Sequence, residues 1–122
     1  MSYMTERIGW SDDAAEHIRT RSTRYPGDTD IDPIWTTEAV DDPLRLVVEP
    51  DPKSAHINSV RTTGYSPAAQ MVITVCALRD ARGVQHGTTA WKTRRADLRR
   101  YYEIAQEQDH NQEEAGADDR RD

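Results

Sequence analysis

The segment Met71-Val72-Ile73-Thr74-Val75-Cys76-Ala77-Leu78 is apolar at all but one position, and Asp80-Ala81-Arg82-Gly83 close behind it has the composition of a hairpin turn. An apolar run of this length, rich in β-branched residues, predicts a central strand covered on both faces. The turn predicts that Val84 to Trp91 folds back antiparallel to it. Upstream, His56 to Tyr65 is polar at many positions and suits a strand with one wet face, separated from the central strand by a turn at Ser66 and Pro67. Leu44 to Glu49 reads as a further strand, and Pro50-Asp51-Pro52-Lys53 as a rigid polar turn after it.

Downstream of the hairpin, Thr93 is placed to cap a last helix. Leu98, Tyr101, Tyr102 and Ala105 fall at i, i+3, i+4 and i+7, which makes one apolar stripe to lie on the sheet. At the other end of the chain, Arg7 to Trp10 suits a short strand. Ser11 offers a hydroxyl cap to a helix from about Asp12 to Arg21, with acids in its first turn. Ser22 to Asp32 reads as a loop, and Asp32 followed by Pro33 starts a second helix that Pro43 ends. From this order we expect a small α+β domain over residues 1–106, an antiparallel sheet of three to four strands packed against two N-terminal helices and one C-terminal helix. Residues 107–122 are so polar and acidic that they read as a disordered tail.

The chain has 122 residues, 35% hydrophobic and 31% charged, which sets one domain as the ceiling. Its longest largely apolar run is Met71 to Leu78, far short of the ~18 residues that cross a bilayer, and Met1 to Glu6 has no apolar signal region. A soluble, cytoplasmic protein without a membrane partner is the expectation. A lone cysteine, Cys76, makes no internal disulfide, and His17, His56, His86 and His110 share no metal-ligand spacing, so neither metal nor cofactor is expected.

The net charge of −6 conceals a segregation that decides the partner class. Residues 1–60 hold 6 basic and 12 acidic groups, residues 61–100 hold 8 and 2, and residues 101–122 hold 2 and 8. The middle block therefore carries +6 between two flanks of −6 each, which favours a local surface for phosphates. Arg61, Arg79, Lys92, Arg94, Arg95, Arg99 and Arg100 make up most of it, with the competing reading that helix arginines only solvate an exposed face. His86 shares strand parity with Lys92 but stands about 20 Å from it along an extended chain, so it suits the hairpin tip rather than the same phosphate. Tyr101 lies near the basic cluster and on the apolar stripe, which leaves proton transfer and core packing both open. Trp10, Trp35 and Trp91, in a chain without phenylalanine, suit the core more than base stacking.

The ordered series Ile8-Gly9-Trp10-Ser11-Asp12, Asp41-Asp42-Pro43, Arg61-Thr62-Thr63-Gly64-Tyr65-Ser66, Val72-Ile73-Thr74-Val75, and Ala90-Trp91-Lys92 leading to Arg99-Arg100-Tyr101 resembles BrnT-type toxins, small RelE-like proteins of type II toxin-antitoxin systems. The resemblance runs over about residues 7–103. It implies a RelE-like fold and an endoribonuclease that degrades RNA to inhibit translation and growth. It also implies a neutralising, DNA-binding antitoxin as partner and a toxin-antitoxin heterotetramer as their assembly. By position, Trp10 and Asp12 match the family's opening motif, Arg61, Lys92, Arg95, Arg99 and Tyr101 match its basic residues and tyrosine, and Asp97 stands where it tends to have glutamate; we expect Arg61, Lys92, Arg95 and Tyr101 to be catalytic and Arg79, Arg94, Arg99 and Arg100 of the basic set to contact RNA. Trp91 replaces the arginine of the family's Ala-Arg-Lys motif, and the Lys-His-Gly sequence near the end of the first helix is absent. A non-catalytic nucleic-acid or partner-binding module using the same basic face is the alternative, and an acidic tail competing with RNA for that face is a third reading.

Overall fold

A computed structural model describes the backbone of residues 3–4 and 7–119 and the side chains of residues 7–108. The chain runs β1 (Tyr3–Met4), β2 (Ile8–Trp10), α1 (Asp12–Arg19), α2 (Arg21–Arg24), α3 (Pro33–Asp41), β3 (Leu46–Val48), β4 (Ser59–Ser66), β5 (Met71–Arg79), β6 (Gln85–Lys92) and α4 (Arg95–Asp119). α1 and α3 begin where side chains can satisfy orphan amides. Ser11 accepts the Ala14 N–H at 3.2 Å, and Asp32 accepts the Ile34 N–H at 3.0 Å with Pro33 locking the first helical residue. In the hairpin turn, Asp80 accepts the N–H groups of Arg82 and Val84 at 2.9 and 3.0 Å. Gly83 there takes φ +86°, a conformation that costs a residue with a Cβ.

The strands form one six-stranded sheet in the order β1-β2-β6-β5-β4-β3, with β2 parallel to β6 and every other pairing antiparallel. Side chains alternate across β5, and this alternation builds two unequal layers. Ile73, Val75 and Ala77 face α1 and α3 and close a core with Ile8, Trp10 and Ile18. Val72 faces the other way, under Tyr101, Ala105 and Leu98 of α4, with Leu44 and Leu46 beside them. Thr74, on that second face, is buried with its hydroxyl against Thr93, whereas Cys76 and Leu78 are only partly buried, so just the last part of β5 is open on that side.

Close seating of α3 depends on Gly64. A Cβ at this position would sit 2.0 Å from the Ala39 carbonyl oxygen, a backbone atom that cannot swing aside. Gly64→Ala is therefore expected to cost at least ~1–3 kcal/mol, the usual range for overpacking. Urea unfolding measures it, and a loss below about 0.5 kcal/mol would contradict this packing.

Several expectations are corrected. The sheet is mixed and has six strands rather than three or four, because Tyr3–Met4 and Ile8–Trp10 add two strands at the β6 edge. Helices lie on both faces, and Arg21–Arg24 forms a short separate helix that runs into the stretch Ser22 to Asp32 expected to be loop. Thr93 does not cap α4, since it is buried with its hydroxyl 2.8 Å from that of Thr74. Apart from these corrections, α4 as described runs to Asp119, and the last three residues of the stretch read as a tail, 120–122, lie outside the described residues. Glu, Gln and Ala dominate residues 103–115, and extending a nucleated helix through good helix formers is cheap. No helix among the described residues is long and apolar enough to cross a membrane.

Candidate functional site

Arg61 pairs with Cys76 across the β4–β5 ladder, and Thr63 pairs with Thr74, so both β4 side chains stand on the second face of the sheet. Beside them β3 brings Leu46 opposite Thr63 and Val48 opposite Arg61. α4 crosses this face one row further on, and its first turns contribute Asp97 and Arg100, three residues apart and hence on one side of the helix. Arg61, Thr63, Leu46, Val48, Asp97 and Arg100 line a hollow of about 300 Å³ together with Thr74 and Arg45.

The charges in the hollow differ in how they are held. Arg61 is mostly buried, with 19% of its side chain exposed, and its Nη2 stands 3.6 Å from Oδ1 of Asp51, whose side chain is 9% exposed. That carboxylate is fixed by its own turn, because the Lys53 N–H donates to Oδ1 at 3.0 Å and the Asp51 N–H donates to the Ser59 hydroxyl at 2.9 Å. Arg45 donates through Nη1 to the Asp42 carbonyl at 3.1 Å. Arg100 is exposed and makes no ion pair among the described residues. One anchored guanidinium, one free guanidinium, a carboxylate and threonine hydroxyls suit a phosphodiester, which needs cations for its oxygens and a proton acceptor beside it.

Of the eight residues expected to form the site, only Arg61 and Arg100 meet in this hollow. Lys92 pairs with Ile73, which points into the α1/α3 core, so its side chain projects from the opposite face to Arg61. Arg79 is bound to Glu49, Nε to Oε1 at 2.7 Å and Nη2 to Oε2 at 3.3 Å. Arg94 is ion-paired with Asp28, which also binds Arg21 at 2.9 Å. The Arg21 hydrogen bond, with Arg94 adding to it, holds the Asp28 carboxyl below its ordinary range. Arg95 and Arg99 lie off the hollow, on the flank of α4 away from Asp97 and Arg100. Tyr101 is buried with its hydroxyl donating to Asp42, which places it in the packing of α4. Tyr102, expected on the apolar stripe, is half exposed instead.

Sequence reasoning passed over Arg45 and Asp51. Asp51 carried a signal, since a carboxylate between two prolines is presented by a rigid turn; Arg45 carried none, because its place depends on how β3 docks. A neighbouring hollow of about 240 Å³ is lined in part by Asp51, His56, Cys76 and Thr88. Burial pushes the Cys76 thiol up to about 11, which keeps it protonated and poorly nucleophilic at neutral pH. His86 is bonded through Nε2 to Asp80 at 2.8 Å beside the hairpin turn and lines neither hollow. No family model, curated protein or solved structure matches the chain.

Proposed function

We propose that this chain is an RNA-directed toxin of the RelE-like kind, an endoribonuclease whose phosphate site is the hollow between β3, β4 and the start of α4. The observation that supports it most is the meeting of Arg61 and Arg100, from segments far apart in the chain, with Asp97 on the open sheet face. In this reading Arg61 and Arg100 hold the scissile phosphate. The 2′-oxygen attacks phosphorus and gives its proton to Asp97, the P–O5′ bond breaks, and the departing 5′-oxygen takes a proton from water. The guanidinium groups stabilise the charge that builds on the phosphate oxygens. A neutralising antitoxin with DNA-binding function and a cytoplasmic location belong to the same proposal, on the strength of the ordered motifs described above.

Induced expression in a bacterial host tests it. The parent is expected to arrest growth, and Arg100→Ala, an exposed change that leaves the fold intact, should relieve the arrest by weakening phosphate binding. Continued arrest by folded Arg100→Ala protein would reject this site.

A second reading is favoured by two features of this face of the sheet. Arg61 already faces Asp51, and Trp91, which by register shares the Arg61 face, stands where the resembling toxins have an arginine. A binding module would retain RNA in a salt-dependent way and leave it intact, so labelled RNA incubated with purified protein separates the two.

A further inference from the structure

Beyond α4, on the far side from the hollow, a groove of about 450 Å³ opens between the helix and the end of β4, lined by Leu44, Tyr65, Tyr101, Tyr102 and Ala105. Its size falls within the usual range for small-ligand sites, ~300–1,000 Å³. Tyr65 and Tyr102 present exposed ring surface there, 36% and 48% of each residue. The Tyr102 ring is also braced: it meets Tyr101 edge to face, with centroids 5.4 Å apart and planes at 74°, and Tyr101 is anchored by its hydroxyl to Asp42. The Asp42 carboxylate in turn accepts the Tyr65 N–H at 2.8 Å and the Leu44 N–H at 2.9 Å, so one carboxylate ties both walls of the groove together.

The helix surface between groove and hollow is cationic. Arg95, Arg99 and Tyr102 fall at i, i+4 and i+7 and form one stripe, while Arg100 lies on the other flank with Asp97. Ala96 sits on the outward surface between them, with no bulk to block a crossing strand. Arg95, Arg99 and Arg100 are all exposed, and none makes an ion pair among the described residues. Apolar walls alone would suit a protein side chain equally well; braced aromatic rings beside unpaired arginines favour a nucleic acid.

We infer that the groove takes an unpaired nucleobase, stacked on Tyr102, from a single-stranded RNA whose backbone crosses α4 over Ala96 between Arg99 and Arg100. This rests on the RNA reading of the hollow and extends it to a substrate class: the strand must be unpaired where it binds. α4 is ~10 Å across, so hollow and groove are served by successive nucleotides of the strand.

The test is fluorescence anisotropy with three probes: a single-stranded RNA octamer, its duplex, and an abasic octamer with the same backbone. The parent is expected to bind the single strand roughly tenfold more tightly than either other probe. Tyr102→Ala should remove that advantage, roughly tenfold on the single strand and nothing on the abasic octamer, and Tyr102→Trp should keep it. Arg100→Ala should weaken all three and flatten the salt dependence by about one counterion. If Tyr102→Ala binds the single strand as the parent does while Arg100→Ala is weakened, the base site is wrong and the phosphate site stands, leaving the groove to an apolar protein segment. If no probe binds in a way that depends on Arg100, both the base site and the RNA reading fall.

Discussion

Trp10→Ala is expected to lower the stability of this protein by ~3–5 kcal/mol, the range for removing a large buried aromatic side chain. With ~5–15 kcal/mol as the whole stability of a typical domain, a substantial fraction of the variant should be unfolded in mild denaturant. Trp10 is 1% exposed, and its indole N–H donates to the Thr36 hydroxyl at 2.7 Å, tying β2 to α3 across the core. Space for the ring comes from Gly87 on β6, where a Cβ would stand 2.4 Å from indole Cε2. Alanine would therefore open a cavity whose glycine wall has no side chain to fill it. Trp10→Phe keeps most of the apolar contact and loses the hydrogen bond, so it should cost only ~1–2 kcal/mol. Urea midpoints of the two variants check this, and equal losses would mean that the ring body contributes little.

The second large effect is at Arg61, where stability and function are coupled. On the ribonuclease reading proposed above, Arg61→Ala should lower the cleavage rate by ~10²-fold or more. It should also destabilise the fold by about 3 kcal/mol, because it strands the Asp51 carboxylate in a mostly buried position. A double substitution separates the two. Arg61→Ala with Asp51→Asn removes both charges but keeps an oxygen for the Lys53 N–H, and should recover most of the lost stability while, on the proposed ribonuclease reading, RNA cleavage stays lost. If the double variant regains cleavage, Arg61 serves only as the partner of Asp51. If Arg61→Ala alone is as stable as the parent, the ion pair at 3.6 Å contributes nothing to the fold.

Much of the local structure was legible along the chain. The caps at Ser11 and Asp32, the hairpin turn at Asp80 to Gly83, and the inward spacing of Leu98, Tyr101 and Ala105 are short-range features, set by hydrogen bonds and periodicity within a few residues. The basic block at residues 61–100 was equally plain in the order of residues. Its division was not. Strand parity says which residues of one strand share a face, but not which face of the next strand they join.

That relation is set by register. Arg61 lies opposite Cys76 and Lys92 opposite Ile73, and positions 73 and 76 of one strand point to opposite sides, so the two cations part company. A shift of register between Cys76 and Ala77, where Thr88 enters as an extra residue in β6, adds to what parity counting alone misses. Ion pairing is decided in the same way, since Glu49 and Asp28 reach Arg79 and Arg94 only after distant segments have packed. The order of residues alone thus determined the helix starts, the hairpin, the central strand and the existence of a cationic segment, because each depends on neighbours in the chain. Tertiary structure alone decided which of those cations face a ligand together, because that depends on the pairing of strands and the seating of α4 across them.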